Sequence, residues 1–341
     1  MDKTRHTRMA RPQRLPRAAV LGLLAGALVV ASGATLAQGK QPAVVYDMGG
    51  KFDKSFNQAA FDGAERWKKE TGKPYLEFEI SNATQREQAK RRMAERGADP
   101  IVGIGFAQGS STEAVAKDFP KISFAIIDSV VPLPNVQSIV FKEHEGSFLV
   151  GMMAAMASKS GKVGFVGGMD IPLIRKFQCG YEQGAKFVNP AIQLTANMTG
   201  TTPSAWNDPA RGAELAKAQF AAGVDVVFAA AGGTGVGVYQ AAKDAGRLAI
   251  GVDSNQNHLQ PGTMLTSMVK RVDVAVYNAF KGVKPGVTAL GLAEGGVDYA
   301  LDQYNAKLVS AEMKKRVDAA KADIISGKIK VIDYMAANAC K

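Results

Sequence analysis

The sequence predicts an α/β protein with two doubly wound lobes, each built on a parallel sheet. Short apolar runs alternate with amphipathic stretches over most of the chain, and the runs contain few polar residues. Such runs are typical of strands that helices cover on both faces. About 300 of the 341 residues remain after an N-terminal leader, which is long for one sheet and ordinary for two domains.

Nine apolar runs are the candidate strands. In chain order they are residues 43–47, 75–80, 100–105, 122–128, 162–168, 192–197, 224–231, 248–253 and 263–269. Helical patterns fill the intervals between most of them, at residues 83–97, 112–119, 146–158, 209–222 and 236–245. This repeated strand-then-helix order predicts parallel strand pairing.

The first series of strand and helix units ends near Phe141, which suggests a boundary between the lobes. The last 60 residues alternate in shorter pieces around a charged helix at 310–326, so we expect the chain to recross between the lobes. The predicted boundaries are 38–143 and about 254–290 for the N-terminal lobe, and 144–253 and about 291–341 for the C-terminal lobe.

Residues 1–37 have the pattern of a secretory signal peptide. The first 17 residues contain six Lys or Arg and one Asp, and an uncharged apolar run follows at 18–31. Small residues then allow cleavage after Ala34 or Ala37. No Cys lies just after the apolar run, so we expect an exported, periplasmic protein without a lipid anchor.

The formal net charge of +11 falls to about +6 once the leader is removed. Basic residues do not cluster with interleaved aromatic residues, as a nucleic-acid groove would require. We therefore expect no nucleic-acid partner and interpret most Lys and Arg side chains as solvated helix faces.

The two cysteines, Cys179 and Cys340, are candidates for a disulfide, because an exported protein folds in an oxidising compartment. Two unpaired thiols are the alternative. The cysteines and the three scattered histidines match no zinc spacing, so no metal or other cofactor is predicted.

Polar residues or glycines follow several of the candidate strands. Ligands of open parallel sheets bind outside the carboxyl ends of the strands, so residues at these ends are candidate ligand contacts. The alternative for each aspartate is a helix or turn cap, and for the glycines a tight turn. These strand-end candidates are Asp47, Asp128, residues 167–170, residues 232–235 with Gly232 and Gly233, Asp253 and Lys270.

The turn GGKFDKSFNQ after the first strand combines structural and candidate binding residues. Ser55 followed by Gln58 three residues later predicts a capping box at the start of a helix. Asp53 is either a cap or a residue that holds the turn. Capping does not explain Phe56 and Asn57, which we interpret as ligand contacts.

Trp206 lies in the polar segment TTPSAWNDPARG, where a core tryptophan is not expected. It is either an aromatic wall of a ligand site or an anchor that packs the loop down. Motifs for catalysis are weak by comparison: the chain has no G-x-S-x-G elbow and no phosphate-binding loop, and AAGGTGVGV lacks the spacing of a dinucleotide fingerprint. Nothing in the sequence nominates a catalytic site, so we expect no enzyme, although a carboxylate pair for acid/base chemistry stays open.

Five segments together resemble the basic membrane protein family of ABC-transporter solute-binding proteins, which includes purine nucleoside receptors. They are DMGGKFDKSFNQ, KVGFVGGMDIPLIRKFQCGYEQGAK, WNDPARG, GVDSNQ and TSMVKRVD. The resemblance covers the chain from about Val44 to Met335. It implies the periplasmic binding protein type I fold, in which two α/β lobes joined by three crossovers close on a solute like a hinged clamp.

The resemblance also implies roles for the candidate residues. Phe56 and Trp206 would sandwich a purine base, and Asn57 and Asp128 would read its edge. The sugar hydroxyls would be held by Asp253, Lys270 and the backbone at Gly232 and Gly233, with Asp47, Asp53 and Ser55 as further candidate contacts. Trp206 stands where the family leads us to expect Phe. The implied partners are a nucleoside such as inosine, guanosine or adenosine and the permease and ATPase subunits of an importer, and we expect a monomer.

Two alternatives remain open at this point. A protein of the same fold can act as a ligand sensor that signals to a membrane receptor, and a secreted nucleoside hydrolase is a second alternative. A repressor, which the fold class also allows, does not fit a chain with a signal peptide and no helix-turn-helix.

Overall fold

The computed structural model describes residues 40–340, and the predicted signal peptide lies outside the described residues. In chain order the elements are β1 (Ala43–Tyr46), α1 (Phe56–Thr71), β2 (Leu76–Glu79), α2 (Gln85–Glu95), β3 (Ile101–Gly103), α3 (Gly109–Asp118), β4 (Phe124–Ile127), β5 (Val136–Phe141), α4 (Glu143–Ala157), β6 (Lys162–Met169), α5 (Pro172–Val188), β7 (Gln193–Gly200), α6 (Pro209–Ala221), β8 (Val226–Ala230), α7 (Gly235–Asp244), β9 (Leu248–Asp253), β10 (Met264–Lys270), α8 (Val272–Lys281), β11 (Gly286–Leu290), β12 (Val297–Tyr299), α9 (Ala311–Ile325) and α10 (Tyr334–Ala337).

The strands form two six-stranded sheets, one in each lobe. Their orders are β11-β5-β4-β3-β1-β2 in the N-terminal lobe and β12-β10-β9-β8-β6-β7 in the C-terminal lobe. All pairings are parallel except that of β12 with β10. The predicted fold class, two doubly wound parallel-sheet lobes, is confirmed.

The chain crosses between the lobes three times. The crossovers follow β5, β10 and β11, and backbone hydrogen bonds tie them together: Lys142 donates to Leu290, and Arg271 donates to Gly296. The three crossovers thus form one connected hinge at the side of the crevice.

The predicted boundary at residue 254 is wrong. β10 pairs with β9 in the C-terminal sheet, so the chain returns to the N-terminal lobe after Lys270 and not after Asp253. The physical reason is the burial of β10: Met264 packs with Val227 and Ala249 in the core of the C-terminal lobe. Because Met264 is buried in this core, β10 belongs to the C-terminal sheet.

The C-terminal segment packs on α5. A disulfide joins Cys179 to Cys340, and Gln183 both donates to and accepts from the backbone of Ile332. No helix within residues 40–340 has the length and apolar character that a membrane span requires.

Candidate ligand-binding site between the lobes

A cavity of about 620 Å³ lies between the lobes, at the carboxyl ends of both sheets. The N-terminal lobe contributes Asp47, Met48, Asp53, Phe56, Asn57, Gly105, Phe106 and Asp128, and the C-terminal lobe contributes Leu173, Ile174, Phe177, Trp206, Ala230, Gly232, Val252, Asp253 and Lys270. Nine of the eleven predicted contact residues line this cavity. The other two, Ser55 and Gly233, are not among the lining residues.

Backbone strain is concentrated at this site. Among residues 40–340, four residues other than glycine have a positive φ, and three of them are Lys54 (62°), Asp128 (66°) and Asp253 (63°). Residues other than glycine rarely adopt this backbone conformation, which costs about 1–3 kcal/mol. The surrounding structure therefore has to stabilise it. Asp128 follows β4 and Asp253 ends β9. At both strand ends the positive φ accompanies a carboxylate that lines the cavity.

The first turn is capped by Asp53. Its carboxylate accepts hydrogen bonds from the backbone nitrogens of Ser55, Asn57 and Gln58 at 2.8, 3.0 and 3.1 Å. The predicted capping box of Ser55 and Gln58 is wrong, since Ser55 makes no side-chain cap and Gln58 donates to Asp62. Asp53 therefore satisfies the free N–H groups at the start of α1.

Asn57 is buried and holds the turn from inside. Its amide nitrogen donates to the carbonyls of Asp47 and Gly50, and its side-chain oxygen accepts from the backbone nitrogen of Asp47. Both amide protons are used within the turn. Asn57 thus supports the turn. Only its side-chain oxygen could accept a further hydrogen bond, from a donor on a ligand.

Lys270 connects carboxylates from both lobes. Its ammonium lies 2.6 Å from Asp128 and 2.9 Å from Glu143, and Lys176 lies 3.0 Å from the other oxygen of Glu143. Burial alone would raise the pKa of Glu143, but the two lysines outweigh burial and lower it. Burial also opposes the charge of Lys270, yet the carboxylates around it raise its pKa, so it stays protonated.

Burial raises the pKa of three aspartates at the cavity to about 6: Asp53, Asp128 and Asp253. Lys270 opposes this shift at Asp128 and Asp253, and three backbone N–H groups oppose it at Asp53. Asp128 also keeps one buried oxygen, Oδ1, without a protein partner. The cavity thus holds carboxylate oxygens that favour a ligand with hydrogen-bond donors.

Two predicted aromatic residues line the cavity from opposite lobes. Phe56 begins α1, and its ring lies 5.1 Å from the ammonium of Lys270. Trp206 ends a short 3₁₀ turn and packs on Gly168, where an added Cβ would come within 2.1 Å of the indole. Gly232, at φ +56°, passes close to the backbone of Trp206, and Gly233 lies between Trp206 and Asp53.

Sequence reasoning missed several residues of the site. The sequence does not predict Glu143, because a glutamate in FKEHEGS is typical of the first turn of a helix. Its position directly after the first crossover is the one feature that could have indicated a role in the site. The apolar contacts from α5, including Phe177, carry no signal beyond core periodicity.

A family model named Bmp and described as "ABC transporter substrate-binding protein PnrA-like" matches residues 40–333. The ABC transporter nucleoside-binding protein BmpA of Lactococcus lactis subsp. cremoris is 35% identical over 317 residues, with 85% of this chain and 88% of that protein covered. Basic membrane protein A of Borreliella burgdorferi is 32% identical over 304 residues, covering 84% and 87%. An uncharacterized lipoprotein of Pyrococcus furiosus is 36% identical over 306 residues, covering 82% and 74%.

Solved structures show the same architecture. An ABC transporter solute-binding protein from Aeropyrum pernix K1 has a TM-score of 0.79 at 30% identity, over 86% of this chain and 93% of its own. An ABC transporter solute-binding protein from Conexibacter woesei has a TM-score of 0.70 at 23% identity, over 86% and 99%, and shows the fold alone.

Proposed function

Because this chain belongs to the Bmp family of ABC transporter substrate-binding proteins, we propose that it binds a purine nucleoside between its lobes and delivers it to a membrane permease. The relative from Lactococcus lactis carries the name of a nucleoside-binding protein. The observation that carries the proposal is the composition of the cavity: an aromatic residue from each lobe, Phe56 and Trp206, beside a polar group formed by Asp128, Asp253 and Lys270.

Stacking supports the base-binding part of the proposal. Stacking of a base on one aromatic side chain contributes roughly 1 to 3 kcal/mol in nucleic-acid sites. Two such walls supply a useful share of the roughly 8 kcal/mol that a micromolar affinity represents. The carboxylate of Asp128, with its unpartnered Oδ1, then accepts from an N–H group of the base edge.

The sugar is assigned to the other polar groups. Asp253 has one oxygen occupied by Ser55, at 2.7 Å, and its other oxygen accepts from a ribose hydroxyl. Lys270 and the backbone at Gly232 complete this subsite. We assign Asn57 to holding the turn, because its amide protons are already used there.

The charge of the cavity favours a nucleoside over a nucleotide. Among residues 40–340, four aspartates and one lysine line it, and no arginine does. A phosphate group would meet carboxylates without the bidentate donors that usually hold it. The proposed ligand is therefore neutral, and binding involves no catalytic step.

A thermal melt with a panel of solutes tests this function. We expect inosine, guanosine or adenosine to raise the melting temperature, and the corresponding 5′-monophosphates and free ribose to raise it much less. Mass spectrometry of solute that copurifies with the protein gives an independent identification. A melt shift from an unrelated solute class, with none from nucleosides, would refute the proposal.

Export and delivery are tested in cells. We propose that residues 1–37 direct the chain to the periplasm and that the mature protein acts there as a monomer. Fractionation after expression in a Gram-negative host checks the location, and nucleoside uptake after deletion of the gene checks delivery. Unchanged uptake together with nucleoside binding would favour the sensor alternative.

A further inference from the structure

The first turn of the N-terminal lobe is hydrogen-bonded to the end of β9 in the C-terminal lobe. The hydroxyl of Ser55 lies 2.7 Å from Asp253 Oδ2 and 3.2 Å from the carbonyl of Val252. In the opposite direction, the hydroxyl of Ser254 donates to the carbonyl of Ser55 at 2.7 Å. Each lobe thus donates a hydrogen bond to the other at this contact, between residues that are about 200 positions apart in the sequence.

Gln256 adds a third donor to this contact. Its amide nitrogen donates to the carbonyl of Lys54 at 2.9 Å, and its side-chain oxygen accepts from the backbone of Val252 and from the hydroxyl of Tyr239, each at 2.7 Å. Gln256 is fully buried. One side chain therefore links the turn of one lobe to the strand end that carries Asp253 in the other.

The turn is held in a conformation that suits this contact. Lys54 has φ 62°, and its carbonyl is the acceptor for Gln256. Positive φ at a lysine is unfavourable unless its surroundings compensate for it. The bonds to the C-terminal lobe are part of that compensation.

The contact also separates two cavities. Asp253 lines the ligand cavity and also a second, open cleft of about 1120 Å³. Lys54 and Ser254 line only the open cleft, and neither borders the ligand cavity. The bonds between residues 54–55 and 252–256 therefore lie between the ligand cavity and the second cleft.

We propose that residues 54–55 and 252–256 form a clasp that holds the two lobes closed and seals the ligand cavity, with Ser254 and Gln256 as positioning residues that do not touch the ligand. The clasp rests on the proposed function in that the sealed solute is taken to be a nucleoside. Breaking the clasp has two consequences. The lobes separate more easily, and Asp253 loses the hydrogen-bonded frame that aims it.

The clasp predicts a specific kinetic effect. Ligand enters when the lobes are apart, so loss of a clasp that also holds the ligand-free lobes closed leaves the association rate unchanged or raises it. Release requires the clasp to open, so the dissociation rate depends on the strength of the clasp. Loss of one neutral hydrogen bond corresponds to about a two- to tenfold faster dissociation.

The test uses Ser254→Ala, with Ser254→Thr as the variant that keeps the hydroxyl and Ser326→Ala as the matched control. The hydroxyl of Ser326 also donates to a backbone carbonyl, that of Asp323, but within one lobe. Stopped-flow tryptophan fluorescence with inosine, guanosine and adenosine reads binding, because Trp206 lines the cavity. We expect Ser254→Ala to release nucleoside about two- to tenfold faster with association no slower than in the wild type, and Ser254→Thr and Ser326→Ala to behave as wild type.

X-ray scattering of the ligand-free protein tests the clasp whatever the solute. The double variant Ser254→Ala/Gln256→Glu loses two of the three donors, and we expect its radius of gyration to exceed that of Ser326→Ala. If the double variant does not fold, Ser254→Ala is measured in its place. Equal radii and equal release rates would overturn the clasp. Failure of the wild type to bind any of the three nucleosides would instead overturn the proposed function, and the scattering comparison would still decide the clasp.

Discussion

Lys270 Nζ lies 2.6 Å from Asp128 Oδ2, and this ion pair joins the C-terminal lobe to the N-terminal lobe at the ligand cavity. Both side chains are at least 95% buried. Glu143, directly after the first crossover, shares the same ammonium at 2.9 Å. The site and the hinge are therefore parts of one buried charge cluster.

Removal of the ammonium should destabilise the whole protein. Lys270→Met leaves Asp128 and Glu143 buried without their shared cation, which typically costs about 3–5 kcal/mol. Urea unfolding followed by circular dichroism measures this loss. Lys270→Met/Glu143→Gln, which also removes one of the two carboxylates, should recover part of it. A Lys270→Met protein as stable as wild type would contradict the cluster.

The aromatic walls should contribute to binding and little to folding. Phe56→Ala and Trp206→Ala should each weaken nucleoside binding by about 1–3 kcal/mol, or roughly 5- to 150-fold in Kd. Phe187→Ala is the control, because Phe187 is an exposed aromatic residue of α5 that does not line the cavity. Isothermal titration with inosine gives Kd. Equal losses in all three variants would argue against stacking.

Nucleoside affinity should fall in acid. The pKa of Asp253 is about 6, and the ionised carboxylate is the form that accepts from a ribose hydroxyl. Affinity is then constant above about pH 7 and decreases as the pH falls through 6. Asp53 and Asp128 titrate in the same range, so Asp253→Asn should bind more weakly at pH 7 and show a shallower but nonzero pH dependence. Titrations between pH 5 and 8 compare the two proteins.

The same aspartate should make the ligand-free protein less stable at neutral pH. A folded pKa of about 6 lies above the unfolded value near 3.9, so the contribution of Asp253 to the unfolding free energy is complete below the unfolded value. It is lost as the pH rises through 6. Relative to wild type, Asp253→Asn should therefore gain up to about 3 kcal/mol between pH 4 and pH 8. Urea unfolding at both pH values measures the gain, and an equal difference at both would contradict it.

The cap of α1 should depend on Asp53 and not on Gln58. Asp53→Ala removes the acceptor of three backbone N–H groups and should reduce the unfolding free energy by about 1–2 kcal/mol. Gln58→Ala should change it by less than about 0.5 kcal/mol, because its side chain reaches only Asp62. Chemical denaturation measures both. A larger loss of unfolding free energy in Gln58→Ala than in Asp53→Ala would instead support the capping box.

Local pattern could predict nine of the twelve strands within residues 40–340, together with the residues at their carboxyl ends, but β5, β11 and β12 are not among the candidate strands. It could not predict what Ser55 does. The Ser-x-x-Gln spacing describes a local cap, whereas the hydroxyl of Ser55 is taken by Asp253, 198 residues away. Glu143 and the boundary after Lys270 were missed for a similar reason, because long-range packing decides them.

The three crossovers also determine the order in which the fold can form. β11 pairs with β5 at the edge of the first sheet, although some 145 residues, including most of the second lobe, separate the two strands in the chain. A chain emerging from its N-terminus therefore cannot complete its first lobe until residue 290 is present. If the chain is exported as proposed, the edge of its first sheet can be completed only after nearly the whole chain has crossed the membrane.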